Sequence, residues 1–390
     1  MALNNRIAAL APEIGEWRRD FHANPEMGFE ETRTAAIVAE KLRSFGVEVH
    51  TGIATTGVVG VLRNGDSGRV IALRADMDCL PMTEETGLAH ASSTPGKMHA
   101  CGHDGHTAML LGTAKYLAES RNFDGTVVFL FQPAEEGGGG GRVMVEEGVM
   151  DRFGVQQVYG IHNDPMTELG KISVVPGPIL AAADTVLFRI KGRGGHAARP
   201  HLALDPVLIG SQLVVAIQSI VARRTDPLDS AVISLCMFHA GSASNVIPET
   251  AEIKGTIRTL KAATRDHTEA HIRRIAAGVA AAHEAEIEVD YKRGYPVTVN
   301  HVAETERAQA AAARVFGEDG VVKSRPPIMG AEDFSYMLEA RPGCFVQLGQ
   351  RAADGKGGVP VHHPKYDFND DAIPYGVSFF TAMVEQEMPR

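Results

Sequence analysis

Residues 126–136 read TVVFLFQPAEE: six apolar, β-branched or aromatic residues that run into Gln132-Pro133 and two adjacent carboxylates, Glu135 and Glu136. An unbroken apolar run of that length predicts a strand buried on both faces, the kind found in parallel sheets. Three more runs have the same form. The first, from Val70 to Leu73, leads to Asp76 and Asp78; VQQVYGI, 155–161, leads to His162; and CFVQL, 344–348, leads past a glycine-rich stretch to His362-His363-Pro364. Helical stretches lie between them. The first 45 residues read as helix; over 30–45, Ile37, Val38, Leu42 and Phe45 fall on one face, and Gly46 suits a left-handed stop. Asp104 is placed to N-cap a helix to Ala118 that carries Met109, Leu110, Ala114 and Leu117. The turn-forming cluster Asn64-Gly65-Asp66-Ser67-Gly68 predicts a hairpin between the β-rich runs on either side. Strands alternating with helices predict an α/β domain with a mixed, largely parallel sheet sandwiched by helices.

A different texture begins near Asp184. TVLFRIKG reads as a strand, Asp205-Pro206 opens an apolar helix to Val221, and AVISLCMF and AEIKGTIRTL read as strands. A helix over 267–284 and the strand EIEVDYKRG complete the order β-α-β-β-α-β, that of a compact ferredoxin-like α+β unit. The division predicted is 1–184 with 296–390 as one domain, and 185–295 inserted into it. Two domains suit a chain of 390 residues. There is no internal repeat or low-complexity tract.

Composition narrows the functional classes. Lys and Arg number 38 against 48 Asp and Glu, a formal net charge of −10, which argues against nucleic acid or an anionic membrane as partner. The N-terminal stretch has no apolar core of signal-peptide length, and no apolar run approaches the roughly 18 residues of a membrane span. Four cysteines make no disulfide framework. A soluble, cytoplasmic protein is the expectation.

The chemistry is expected beyond the carboxyl ends of the strands, where open α/β sheets bind ligands. Asp76, Asp78, Glu135, Glu136, His162 and His362 all fall there. A fifth element, HACGHDGH over 99–106, opens a helix, and Gly102 allows Cys101 and His103 to converge on one point. Thiolate, imidazole and carboxylate together suit a borderline divalent metal. Of two adjacent glutamates, one can bind metal while its neighbour takes a proton from water, the division that metal-assisted hydrolysis requires. Cys79, Cys236 and Cys344 read as small buried apolar residues. His22, His50, His90, His239, His267, His271, His283 and His301 read as solvated or locally bonded.

The markers WRRDFHANPEMGFEET, ALRADMDCLPM, MHACGHDGHTAMLLG, VFLFQPAEEGGGGG, YGIHND, KGRGGHAARPHLALDP, SNVIPETAEIKGTIRT, MGAEDFSYM and VHHPKYDF, in this order, cover nearly the whole chain. In them the sequence closely resembles the M20 metallopeptidases, within their branch of hippurate hydrolases, N-acyl-amino-acid amidohydrolases and indoleacetyl-amino-acid hydrolases. The resemblance implies a zinc-exopeptidase-like fold with an inserted dimerisation or lid domain. It makes Cys101, His103, Glu136, His162 and His362 the ligands of two divalent ions per subunit, with Zn²⁺ favoured by the thiolate and Mn²⁺, Co²⁺ or Ni²⁺ also fitting. It makes Glu135 the general base and His196 the lid histidine that polarises the scissile carbonyl. Asn245 matches a residue that meets substrate from the same lid, and Arg258 and the backbone at Gly330 are candidates for the substrate carboxylate. Most peptidase members carry a histidine where Asp76 stands here; Asp76 and Asp78 are read as supports behind the ligands.

The implied activity is hydrolysis of an N-acyl amino acid, a small-molecule substrate, by a homodimer or dimer of dimers. A dipeptidase or an N-acetyl-diaminopimelate deacetylase on the same fold is the near rival. A zinc nucleobase deaminase would need His-x-Glu and Pro-Cys-x-x-Cys; neither occurs. A non-catalytic metal-binding relative would not need Glu135 beside a full ligand set.

Overall fold

The computed structural model describes residues 4–390; the part of the N-terminal helical reading that falls on 1–3 lies outside them. The chain forms two compact units. One runs to Gly177 and takes up Val299–Pro326 and Asp333–Arg390; the other is Pro178–Thr298 with Pro327–Glu332.

In the first unit, helices α1 (Asn5–Ala23), α2 (Thr32–Ser44) and α3 (His103–Ser120) accompany an eight-stranded sheet. Its strands are β1 (Glu48–Ile53), β2 (Gly57–Asn64), β3 (Val70–Asp76), β4 (Gly125–Gln132), β5 (Gln157–Glu168), β6 (Ile172–Ser173), β7 (Val321–Val322) and β8 (Gly343–Arg351), in the order β1-β2-β4-β3-β5-β8-β6-β7. Strands β4, β3, β5 and β8 run parallel, while β1 and β2 add an antiparallel margin. The mixed, largely parallel α/β architecture is therefore as read from the apolar runs. Leu73, Val127, Phe129, Phe131, Tyr159 and Val346 share one core with Leu10, Ile14, Phe21, Met109 and Leu117 of the helices. Each such side chain contributes roughly 1.5–3 kcal/mol by leaving water.

Two local expectations fail. The cluster 64–68 is not a hairpin, because β4 lies between β2 and β3. Asn64 Nδ2 donates to the Phe123 carbonyl, and the Ser67 N–H to Asp124 Oδ1 at 2.9 Å, so the turn crosses over the start of β4. The true hairpin is β1–β2. Nor does Asp104 cap α3. Gly102 is the N-cap at φ +92, where a Cβ would stand 2.3 Å from Asn163 Oδ1, so only glycine fits. Asp104 enters the first turn, and its buried carboxylate meets His22 Nδ1 at 2.8 Å and Arg18 Nε at 3.3 Å.

The second unit is a four-stranded antiparallel sheet in the order Ala231–Ala240, Thr250–Thr259, Ala182–Lys191, Glu286–Arg293, with the helices Pro206–Arg224 and Ala262–Ala282. Alternate residues are buried along Ala182–Lys191, and Phe188, Ile190, Ile253, Leu213, Ile217 and Ile272 form a core on one face. Asp205 accepts from the Val207 N–H at 2.9 Å and caps its helix as predicted. Two readings need correction here. Pro206–Arg224 is 19 residues long with a mean hydropathy of 1.5, and is the one helix among the described residues long and apolar enough to cross a membrane. Its apolar stretch is broken only by uncharged polar residues, which a count of unbroken apolar runs passes over. Cys236 is exposed on Ala231–Ala240 rather than buried.

Candidate metal centre

Five chain segments bring donors to one edge of the first unit's sheet. β3 delivers Asp76 at its last residue and Asp78 just beyond. Opposite Asp76 in register is Gln132, the end of β4, from which the chain turns through Pro133 to Glu135 and Glu136. His162 lies on β5, and the mouth of α3 supplies Cys101 and His103. His362 comes from the loop after β8, with φ +61.

These side chains converge in overlapping groups. The donor atoms of Cys101, His103 and His162 lie within 4.8 Å of one another, as do those of Cys101, Glu136 and His362, and those of His103, Glu135 and Glu136. Cys101 Sγ is 3.4 Å from His162 Nε2, and His362 Nε2 is 3.2 Å from Glu136 Oε1. Cys101, His103 and Glu136 each belong to two of these groups, so the three groups overlap in one continuous cluster. A further group, Asp76, His103 and His106, lies alongside.

The imidazoles are oriented from behind, as metal-binding histidines are. His103 Nδ1 lies 2.9 Å from the Asp78 carbonyl oxygen, while its buried Nε2 has no hydrogen-bond partner. His162 Nδ1 lies 2.8 Å from the Asn163 carbonyl oxygen, which leaves Nε2 toward the sulfur. A buried imidazole nitrogen with no partner, facing a thiol and carboxylates, fits divalent ions. Burial pushes the Cys101 thiol up and takes His162 down to about 3. Hydrogen bonds to Cys101 and Glu136 raise His362 to about 10.

Asp78 does more than support one ligand. Its Oδ1 accepts from the Glu135 N–H at 3.0 Å and its Oδ2 from the Glu136 N–H at 2.9 Å, so one carboxylate anchors both the His103 side and the Glu135–Glu136 turn. Arg74, fully buried, donates to Asp76 Oδ2 at 2.6 Å, Gln132 Oε1 at 2.8 Å and Asp333 Oδ1 at 3.0 Å. Asp333 in turn donates its N–H to Glu135 Oε1 at 3.4 Å. Two histidines had a larger place than the sequence suggested. His106 Nδ1 lies 2.6 Å from Asp76 Oδ1, and its spacing from His103 by one turn of α3 was the available signal. His22 is buried between Asp104 and Glu84; burial alone would pull it down, but the charge of Asp104 and the hydrogen bonds to both carboxylates outweigh that and raise it to about 9. No local pattern points to it.

The remaining candidates belong to the second unit. His196 and Asn245 are exposed neighbours: His196 pairs with Val246 on a short antiparallel bridge, and the Ala197 N–H donates to the Asn245 carbonyl. Arg258 is half-buried and donates to the Ile257 carbonyl, and the Gly330 carbonyl accepts from the Ala181 N–H.

A mixed α/β sheet with thiolate, imidazole and carboxylate donors at its strand ends, and a second glutamate beside them, defines a metal-dependent hydrolase. Comparison with known proteins gives the class its family. The chain belongs to the peptidase family M20/M25/M40, which matches residues 72–386. It is 41% identical to the hippurate hydrolase of Campylobacter jejuni over 98% of each chain. It is 39% identical to the IAA-amino acid hydrolase ILR1-like 4 of Arabidopsis thaliana, over 94% of this chain and 83% of that one. Among solved structures, the Bacillus subtilis YXEP protein, described as a dinuclear metal binding peptidase of the M20 family, superposes with a TM-score of 0.84 at 34% identity over 97% and 98% of the two chains. The protein is a metal-dependent amidohydrolase of this family, with a centre suited to two metal ions.

Proposed function

We propose that the protein hydrolyses the amide bond of N-acyl amino acids, hippurate-like, N-acetyl or otherwise acylated, to a carboxylic acid and a free amino acid. The observation that carries this is the donor cluster with Glu135 at its side, in a chain so similar throughout to a hippurate hydrolase. Cys101, His103, Glu136, His162 and His362 would hold the two ions, Zn²⁺, Mn²⁺, Co²⁺ or Ni²⁺. When bound, the ions supply Lewis-acid polarisation of the carbonyl and lower the pKa of water. Glu135 takes the proton from the attacking water and delivers it to the leaving amine. His196 donates toward the oxygen on which charge develops. Asn245, Arg258 and the Gly330 backbone bind the amino-acid portion.

The reading divides the chain into a catalytic domain, 1–184 with 296–390, and a dimerisation and lid domain, 185–295. Val207, Leu208, Val215 and Val221 on one helix, and Val232, Met237 and Phe238 on the outermost strand, are exposed apolar residues that support self-pairing in a homodimer or a dimer of dimers. Four free cysteines suit the reducing cytoplasm. The test is turnover of N-benzoylglycine and an N-acetyl-amino-acid series after chelation and metal return. Cleavage of dipeptides or N-acetyl-diaminopimelate in preference to all of these would replace the substrate assignment.

A further inference from the structure

The turn that aims Glu135 and Glu136 rests on a residue to which none of the roles above falls. Ala134 has φ +53, a left-handed conformation disfavoured for a residue with a Cβ. Its N–H donates to Glu31 Oε1 at 2.8 Å, and the other oxygen of Glu31 accepts from the Thr56 hydroxyl at 2.5 Å. Glu31 is completely buried, and burial lifts its carboxyl to about 7. It stands at the N-cap of α2 without capping it. That duty falls to Glu26, which accepts from the Arg33 and Thr34 N–H groups at 2.9 and 2.8 Å. Glu31 is thus released from its own helix and committed to the turn. The chain just before it closes on the same point: a Cβ at Gly28 would stand 2.9 Å from both Cα and Cβ of Ala134.

We propose that Glu31 is a positioning residue for amide cleavage, clamping Ala134 in its left-handed form and so setting the directions in which Glu135 and Glu136 diverge. This rests on the reading of Glu135 as base and Glu136 as ligand. An ordinary buried carboxylate would matter only for stability, and the two roles differ in what they do to kcat.

The experiment compares Glu31→Ala, Glu31→Gln, the double variant Glu31→Ala with Ala134→Gly, and Val38→Ala as a measure of plain destabilisation in α2. Glu31→Ala is expected to lower kcat by about 10–100-fold, the range for losing a group that orients a metal ligand, with KM within about threefold. Glu31→Gln keeps an oxygen for the Ala134 N–H and should stay within about threefold of wild type. Glycine adopts positive φ without help, so the double variant should regain several-fold of the lost kcat. Val38→Ala should lower Tm and leave kcat unchanged. A Glu31→Ala enzyme with wild-type kcat, or a double variant no faster than Glu31→Ala, overturns the proposal. If Glu31→Ala does not fold, Gly28→Ala presses on Ala134 from the other side, and an unchanged kcat there overturns it too. Should the wild type cleave no N-acyl amino acid, the substrate reading falls, and calorimetry with Mn²⁺ still decides: Glu31→Ala must bind it about tenfold more weakly than Glu31→Gln, and equal binding sinks the clamp.

Discussion

The two sheets of this protein handle polarity in opposite ways. In the first unit β3 and β4 are buried along almost their whole length, and the charged groups at their ends are sealed in with them: Arg74, Asp76, Asp78, His103 and Asp104 are all at most 1% exposed. Such groups persist only if each finds a partner or an ion. In the second unit the strands bury alternate residues, and apolar side chains stay in the open on the outermost strand and on the outer surface of the helix Pro206–Arg224, where Val215 is 74% exposed. A sheet covered on both sides can concentrate charge for chemistry. A sheet covered on one side is left with surface to offer a partner.

Four experiments would break or sharpen that contrast, taken from the largest effect downward. Glu135→Gln keeps shape but removes the proton acceptor; metal content should hold while the rate falls roughly 10²–10⁴-fold. Glu136→Gln should instead lose metal, and if elemental analysis gives the reverse pattern, the two roles are exchanged. Cys101→Ser should lose metal and activity together, by about 10–100-fold or more, because the sulfur is grouped both with His103 and His162 and with Glu136 and His362; a variant with both ions and full rate rules the thiolate out as ligand. The third experiment joins the two units. Glu135→Ala and His196→Ala subunits, each inactive, are unfolded together and refolded as a mixture. If His196 acts across a dimer, about half the dimers are mixed and have one intact site each, so about a quarter of the wild-type rate returns; a mixture that stays inactive puts His196 in its own subunit's site. The smallest effect belongs to the exposed surface of the helix Pro206–Arg224. Val215→Lys should change monomer stability by less than about 0.5 kcal/mol, as at other exposed positions, yet shift the sedimentation profile toward monomer. An unaltered profile would mean that this face is not the one that pairs.

Both sheets were legible in the sequence because their patterns are local. Continuous apolar runs marked β3, β4, β5 and β8, and the β-α-β-β-α-β order of strand-like and helical runs marked the second unit, so strand identity and the clustering of site residues at strand ends followed. Pairing was harder. The 64–68 turn has hairpin chemistry, but its bonds go to Phe123 and Asp124, some 60 residues away, and no local rule anticipates that β4 will come between its flanking strands. The same limit hid the supports of the site. His22, Arg74, Asp333 and Glu31 act through partners tens to hundreds of residues distant, whereas Cys101, His103 and Glu135–Glu136 stand in short motifs whose chemistry shows in their composition.

The order of segments along the chain has a consequence in time. β8, the partner of β5, and His362 follow the whole of the second unit in sequence, and synthesis proceeds from the N-terminus. While the ribosome is still making residues 178–298, β5 is without its β8 neighbour and the donor cluster lacks one member. The four-stranded sheet of the second unit, complete by Arg293, can form before β8 and His362 are made. The nascent protein therefore can fold this second sheet before its donor cluster is complete, and the cluster closes only once His362 has emerged.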